Sequence, residues 1–457
     1  MANPPVSRRD FLRGSAGLTV LASGGSALGF QVNQKLNIAQ VGVSGRGSWF
    51  IQCIPRMGEN FAALCDVNDQ KSAEAYSKFP DAKKYHDFRK MLDEMDKGVD
   101  AVIAAVPDHA HAIVSVTAMK HGKHIYCEKP LTRTVREARI VRETARKAKV
   151  ATQMGNQGTS TEAFRRAVDW LRAGVIGEVR EFHVWNGGGP GRTAPPSGSQ
   201  PVPDYLQWDL WLGPVADRPF HREWFQWHVW RDFATGNLGN WGPHTTNIPF
   251  MGLNIHTLWH AAPAGPPPLV RVTAKVPAIN TVSFPQWELI RFEVPARGGM
   301  PPVTFFWHNG TPQPDGREHT EAFVKAGLLK WEANGQRKYG NWAGLLLVGS
   351  KGMIFATEHN GKITLLPEDQ FRDFQGPPPV LPRSPGHEQE WLRACKGGAP
   401  AMSHFDYAGP FVEFLMLGNV ASQVEGPIEY DPLAGKIVNH PGADRLLGSE
   451  YRKGWSL

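Results

Sequence analysis

Residues 99–131, VDAVIAAVPDHAHAIVSVTAMKHGKHIYCEKPL, decide the fold of this chain. Val99 to Val106 is an apolar run of the kind found in strands buried on both faces. A short polar loop carrying His109 and His111 follows, then a helix, then a second strand, and finally Glu128-Lys129-Pro130. In an open parallel α/β sheet, ligands sit just beyond the carboxyl ends of the strands. A lysine placed there by a proline-stiffened turn is aimed at a cofactor or substrate. The plainer alternative is a solvated strand-end lysine paired with Glu128.

The same alternation extends upstream. Leu36 to Val43 reads as a first strand, and Gly42-Val43-Ser44-Gly45-Arg46-Gly47 follows it. A dinucleotide fingerprint has glycine where Ser44 stands, with Gly45 beside it. The glycines allow a tight turn and let backbone approach a pyrophosphate at a helix amino terminus. Ser48 to Met57 suits that helix, and Phe61 to Asp66 the next strand. Asp66 lies 19 residues past Gly47, where a strand-end acid would bond the adenosine ribose hydroxyls. Its charge repels a 2′-phosphate and favours NAD. NADP stays open because Arg46 could reach such a phosphate, and Asp66 could instead simply cap the next helix. Helices over Asp69–Phe79, Asp87–Glu94 and Thr134–Lys149 and a strand over Val150–Met154 complete six strands, ending near Gln157.

Beyond Thr161–Gly174, a helix, the pattern changes. Strands are expected at Glu178–Trp185, Val270–Ala278, Trp287–Val294, Val303–Trp307 and Gly344–Phe355, as in an antiparallel α+β sheet. Residues 187–206 form a proline- and glycine-rich stretch read as a surface loop or oligomer arm. His387–Lys396 and Ala408–Val424 look helical and able to pack back on the first domain. Six tryptophans (Trp208, Trp211, Trp224, Trp227, Trp230 and Trp241) crowd one segment. Most are expected to form a packed core or subunit interface, the alternative being a carbohydrate pocket.

The order and spacing of residues 99–131, with EKP at the strand end, resemble the glucose–fructose oxidoreductase/inositol dehydrogenase (Gfo/Idh/MocA) family, a resemblance that covers nearly the whole chain after residue 35. The resemblance implies an α/β fold: a Rossmann doubly wound parallel sheet over residues 35–157 and an α+β domain over 158–457 with a large, mainly antiparallel sheet. It implies a cofactor site of Gly42, Ser44, Gly45, Arg46, Gly47, Asp66, Pro107, His109, Glu128, Lys129, Asn156 and Gln157. Gly236 to Asn247 is similar to the family's substrate motif, an acid, a histidine four residues on and a second acid. His244 is kept, while both acids are amides, Asn240 and Asn247. Spacings of four and three put all three on one helix face. Lys129, His244 and Asn240 are thus the expected catalytic set, with Asn247, Trp241 and Arg231 binding substrate and no metal site.

Oxidising a secondary alcohol needs a base for the hydroxyl proton while hydride leaves the carbon. An asparagine at 240 supplies geometry without charge, so a less basic His244 is expected, with Lys129 bearing more of the proton transfer. The leading expectation is an NAD(P)-dependent oxidoreductase acting on a sugar, polyol or derivative. Two alternatives are an NAD-dependent glycosidase or lyase working by transient oxidation and elimination, and a non-catalytic sugar-binding relative.

Ser7-Arg8-Arg9-Asp10-Phe11-Leu12-Arg13 matches the twin-arginine pattern, and Gly14–Gly29 is too short and weakly apolar for a membrane anchor. Residues 1–30 therefore read as a twin-arginine signal, implying export to the periplasm through the twin-arginine machinery with the cofactor already folded in. The net charge of +7 falls to about +5 without this leader, and no basic run interleaved with aromatics follows, which argues against nucleic acid as a partner. Cys53, Cys65, Cys127 and Cys395 lack CxxC spacing and read as buried thiols, a disulfide remaining open in an exported chain. A homo-oligomer is expected.

Overall fold

The computed structural model describes residues 35–189, 191, 194–260, 265–310 and 343–457. The expected signal segment, and residues 190, 192 and 193 of the expected loop, lie outside these.

The first sheet is built from β1 (Asn37–Val41), β2 (Asn60–Cys65), β3 (Lys83–Tyr85), β4 (Ala101–Ala104), β5 (His124–Glu128) and β6 (Thr152–Gly155). Its order is β3-β2-β1-β4-β5-β6 and all its pairs are parallel. Helices α1 (Gly47–Arg56), α2 (Asp69–Lys78), α3 (Phe88–Glu94), α4 (Asp108–Lys120) and α5 (Val135–Ala148) connect the strands. The order reverses between β1 and β4, the switch point at which a doubly wound sheet opens a ligand crevice. His109 and His111 belong to the first turns of α4 rather than to a loop, because Pro107 sets the helix start.

The second sheet follows α6 (Glu162–Arg172). In chain order its strands are β7 (Val179–Asn186), β8 (Val270–Lys275), β9 (Glu288–Val294), β10 (Val303–Asn309), β11 (Ala343–Gly349), β12 (Met353–Thr357), β13 (Ile363–Leu366), β14 (Ile428–Asp431) and β15 (Lys436–Ile437). The order β13-β12-β11-β7-β10-β9-β8-β14-β15 holds one parallel pair, β7 with β10. The single strand expected over Gly344–Phe355 is a hairpin instead. Gly349 N donates to Gly352 O (2.9 Å), and a Cβ on Gly349 would stand 2.1 Å from Ile176 O. The expected sheet also lacked β13, β14 and β15, each too short to show a period.

Helices α7 (Trp208–Leu212), α8 (Gly236–Thr245) and α9 (Asn247–Gly252) lie between β7 and β8, and α10 (His387–Cys395) and α11 (Phe405–Ala421) follow β13. Helix α11 is apolar on nearly all sides, as a fully enclosed helix must be. Arg139 of α5 reaches its buried Glu413, so α11 packs back on the first domain as expected. All four cysteines are buried free thiols. Among the described residues no helix is long and apolar enough to cross a membrane.

Candidate active site

The turn after β1 admits glycine alone at two positions. Gly42 has φ +81°, and a Cβ there would meet Ala105 O at 2.3 Å. A Cβ on Gly47 would meet Gly42 O at 2.2 Å. Gly45 adopts φ +56°, taking the left-handed turn where the fingerprint's second glycine was replaced by Ser44. Buried Gln40 fastens the turn by donating to Gly42 O (2.9 Å) and Gly47 O (2.8 Å). Asp66 closes it from β2: one oxygen accepts from Val43 N and the other from Asn68 N, each at 3.0 Å. Burial pushes the Asp66 carboxyl up, and those two amides oppose the shift.

The turn opens on a cavity of about 460 Å³, within the range of cofactor sites, about 300–1,000 Å³. Of the expected cofactor set, Gly42, Ser44, Gly45, Arg46 and Asp66 line it, as do Pro107, His109, Glu128 and Lys129. Asn240 faces the same space. A glycine-only turn at a helix amino terminus, with a strand-end acid beside it, fits a dinucleotide pyrophosphate and ribose. Gly47 stands behind the turn. Asn156 and Gln157 are also set back: Asn156 Nδ2 donates to Pro243 O (3.3 Å), and Gln157 Nε2 to Glu128 Oε1 (3.0 Å). Gln157 thus orients a cavity residue rather than lining the cavity. Glu128 also takes Arg46 Nε at 2.8 Å, so the guanidinium is turned to Glu128.

Lys129 is half-buried, and its Nζ donates to Asn240 Oδ1 (2.5 Å) and Asn240 O (3.1 Å). Burial lowers its pKa, and the Arg46 charge adds to this, against Glu128 and Asp108. His244 sits one helical turn beyond Asn240, fully buried and outside the cavity wall. Burial first, then the Lys129 charge, hold it well below the usual imidazole range. The direction agrees with the sequence expectation, while its main cause is desolvation. His359, in the β12–β13 turn, lies with its ring centroid 4.6 Å from His244 and 5.4 Å from Trp241. Nothing local in the sequence marked His359.

Three expected substrate residues are placed otherwise. Asn247 does not continue the helix of Asn240 and His244: α8 ends at Thr245, and after Thr246 α9 opens at Asn247. Its side chain donates to Thr159 Oγ1 (2.9 Å) and accepts from Tyr407 OH (2.6 Å), a structural role. Arg231 is buried away from the cavity, donating to Asn280 O (2.8 Å), Ser283 O, Asn419 O and Ser422 Oγ. Burial lowers it to about 10, against the pull of Glu288. Trp241 packs against the main core. Trp208, Trp211, Trp224 and Trp230 form a second aromatic cluster with Phe220 and Phe233, the packed core expected. Trp211 and Trp227 nevertheless also face the cavity, and His228 stacks on Trp227 there with centroids 3.6 Å apart.

The two α4 histidines differ in protonation. His111 places Nδ1 2.6 Å from Pro130 O and Nε2 2.8 Å from Val106 O. Two carbonyl acceptors require two N–H donors, so the ring is an imidazolium tying the EKP turn to the end of β4. Despite burial, Cys127 and Asp108 push it up to about 10. His109 points Nε2 at Trp211 O (2.8 Å), and its buried Nδ1 has no partner among the described residues. Burial lowers it to about 4. As pH falls below about 6.5, the unfolded chain takes up this proton and the folded one does not, so stability drops until about pH 4. The loss approaches about 3 kcal/mol for His109 alone. Urea unfolding at pH 7 and pH 5 should show a smaller loss in His109→Gln than in the wild type; equal losses would remove His109 from this account.

Known proteins agree with the first domain. Residues 36–156 match GFO_IDH_MocA, the oxidoreductase family with an NAD-binding Rossmann fold. Levoglucosan dehydrogenase of Pseudarthrobacter phenanthrenivorans is 29% identical over 119 residues, 26% of this chain and 30% of that one. Inositol 2-dehydrogenase of Salmonella typhimurium is 28% identical over 128 residues, 28% of this chain and 38% of that one. The matched stretch therefore spans only about a third of these relatives. Solved structures extend the likeness of fold to the second domain. A levoglucosan dehydrogenase in complex with NADH superposes with a TM-score of 0.54 at 16% identity, over 87% of this chain and 99% of that one. Aldose–aldose oxidoreductase from Caulobacter crescentus, with glycerol, gives 0.53 at 16% identity, over 87% and 100%.

Proposed function

We propose that this chain is an exported oxidoreductase that carries a nicotinamide cofactor, NAD in preference to NADP, and acts on a CH–OH group of a sugar, polyol or derivative. The observation that carries the reading is Lys129 Nζ, half-buried and held by Asn240 at the wall of a dinucleotide-sized cavity. The similarity of the first domain to levoglucosan and inositol dehydrogenases supports the substrate class. The twin-arginine pattern supports export of the folded, loaded protein. A bound nicotinamide supplies the hydride acceptor.

The residues of the chain supply binding and the proton path. The glycine turn and the α1 amino terminus would hold the pyrophosphate of a bound dinucleotide, and Asp66 its adenosine ribose. Lys129, unprotonated, accepts the substrate hydroxyl proton, and Asn240 holds its Nζ in place. A carboxylate at 240 would stabilise the ammonium form, whereas an amide leaves the amine less basic. Asn240 is thus a tuning substitution as well as a positional one. Asn240→Asp should raise the pKa that governs the acidic limb of kcat/KM by about 1–3 units, the usual effect of an adjacent opposite charge. An unmoved limb would take the proton transfer away from Lys129.

The function is tested by adding sugars and polyols to the purified protein and following nicotinamide absorbance and released products together. A change in absorbance matched by an oxidised substrate supports the proposal. Sugar released from a glycoside with no net absorbance change would replace it with the elimination chemistry, and neither signal would leave a binding protein.

A further inference from the structure

The residues nearest the chain end form part of the cavity wall. Trp455 lines it, beside Phe88 and Asp87, at the end occupied by Asp66 and Lys71. Arg89 of α3 lies over the Trp455 ring at 4.0 Å, and Arg89 is itself fixed by Asp87 at 2.7 Å. Three residues earlier, Arg452 grips the segment of residues 209–217. Its backbone N donates to Pro214 O (3.0 Å), its Nε to Gly213 O (2.6 Å) and its Nη2 to Asp209 O (2.7 Å). Its Nη1 also pairs with Asp209 (2.6 Å) and Asp217 (2.5 Å). Tyr451 anchors the segment further by donating to Glu137 (2.8 Å).

The rim that Arg452 holds is the α7 segment, whose Leu210, Trp211 and Gly213 line the cavity. That rim is joined to the first domain on its other side as well. Asp69 N donates to Tyr205 O and Gln207 N to Val67 O, both at 2.9 Å, around a bridge between Asn68 and Leu206. Residues 205–215 therefore cross above the Asp66 end of the cavity, and residues 451–455 fasten them to α3. None of these contacts joins strands of one sheet, while Tyr451, Trp455 and Leu457 also pack against the main core.

We propose that residues 451–457 are a strap that walls the adenosine end of the nucleotide site and retains the cofactor, with Trp455 as its contact to the nucleotide and Arg452 as its latch. The inference rests on the dinucleotide reading of the cavity. An aromatic ring next to an adenosine site is a contact for the base, and the guanidinium groups of Arg89 (4.0 Å) and Arg452 (5.7 Å) hold that ring in place. Arg452 makes charge-assisted bonds at the edge of the cavity, where each opening event must break several at once. A nucleotide confined this way leaves only when the strap lifts.

The test follows NADH fluorescence on the full-length protein after loading, during a chase with excess NAD. Arg452→Ala and Trp455→Ala should each release NADH at least about tenfold faster than wild type, the loss expected for a charged bond or a stacking face. Trp455→Phe, which keeps an aromatic face, should restore most of the retention. Competition by AMP should weaken in Trp455→Ala, while competition by nicotinamide mononucleotide should not, a split that a general loss of stability would not give. Equal release rates in wild type and both variants would overturn the strap and leave the nucleotide reading intact. A wild-type protein that binds no NADH would overturn both.

Discussion

Lys129→Met lowers turnover by about 10²–10⁴-fold while the dinucleotide remains bound, the range lost when a positioned general base is removed. Methionine keeps the apolar stem that fills the buried path from the EKP turn but cannot accept a proton. The amine it replaces donates to two atoms of Asn240, and burial already biases it toward the neutral form. Single-turnover measurements with loaded protein separate the two parts of the claim. Slow chemistry with full cofactor occupancy matches the assignment; unchanged chemistry would move the base elsewhere, to the His244–His359 pair.

Gly42→Ala has the second large effect, on cofactor occupancy and on the fold together. The residue sits at φ +81°, where a side chain costs about 1–3 kcal/mol, and its new methyl would point at the Ala105 carbonyl 2.3 Å away. That carbonyl is backbone at the end of β4, two residues before Pro107, so relief of the clash distorts both walls of the cavity. Bound dinucleotide should fall at least about tenfold, a difference of only about 1.4 kcal/mol in binding, and Tm should drop. Gly45→Ala is the control. Gly45 shares a positive φ (+56°), but nothing lies within 4 Å of its missing Cβ, so it should lose stability with a much smaller loss of nucleotide. Equal losses in both variants would mean that backbone strain, rather than the close approach of β1 to β4, governs the turn.

Much of the first domain was legible because each of its signals is local. Val99 to Leu131 carries a buried strand, a helix and a second strand within one window, and the glycine turn and Asp66 keep the spacing that phosphate and ribose contacts require. The second sheet was legible as strands but not as topology, since the parallel pairing of β7 with β10 joins segments more than a hundred residues apart. Where the expected site depends on strand ends, its residues come together: Lys129, Glu128, Pro107 and His109 all line the cavity. Where it depends on an unbroken helix the structure differs, since α8 ends at Thr245 and Asn247 begins α9. Arg231, His359 and Trp455 take their roles from partners far along the chain, and no spacing rule reports those. Ser44 illustrates the opposite case: the fingerprint is altered there, and the turn takes its left-handed conformation at the neighbouring Gly45.

The central claim is that a nicotinamide dinucleotide resides in the cavity between the glycine turn and Lys129. The most direct measurement is to purify the protein without added nucleotide, denature it, and identify what is released by mass spectrometry. The account predicts near-stoichiometric NAD, with Asp66 disfavouring NADP. A protein that releases no dinucleotide and also fails to bind added NAD would contradict it.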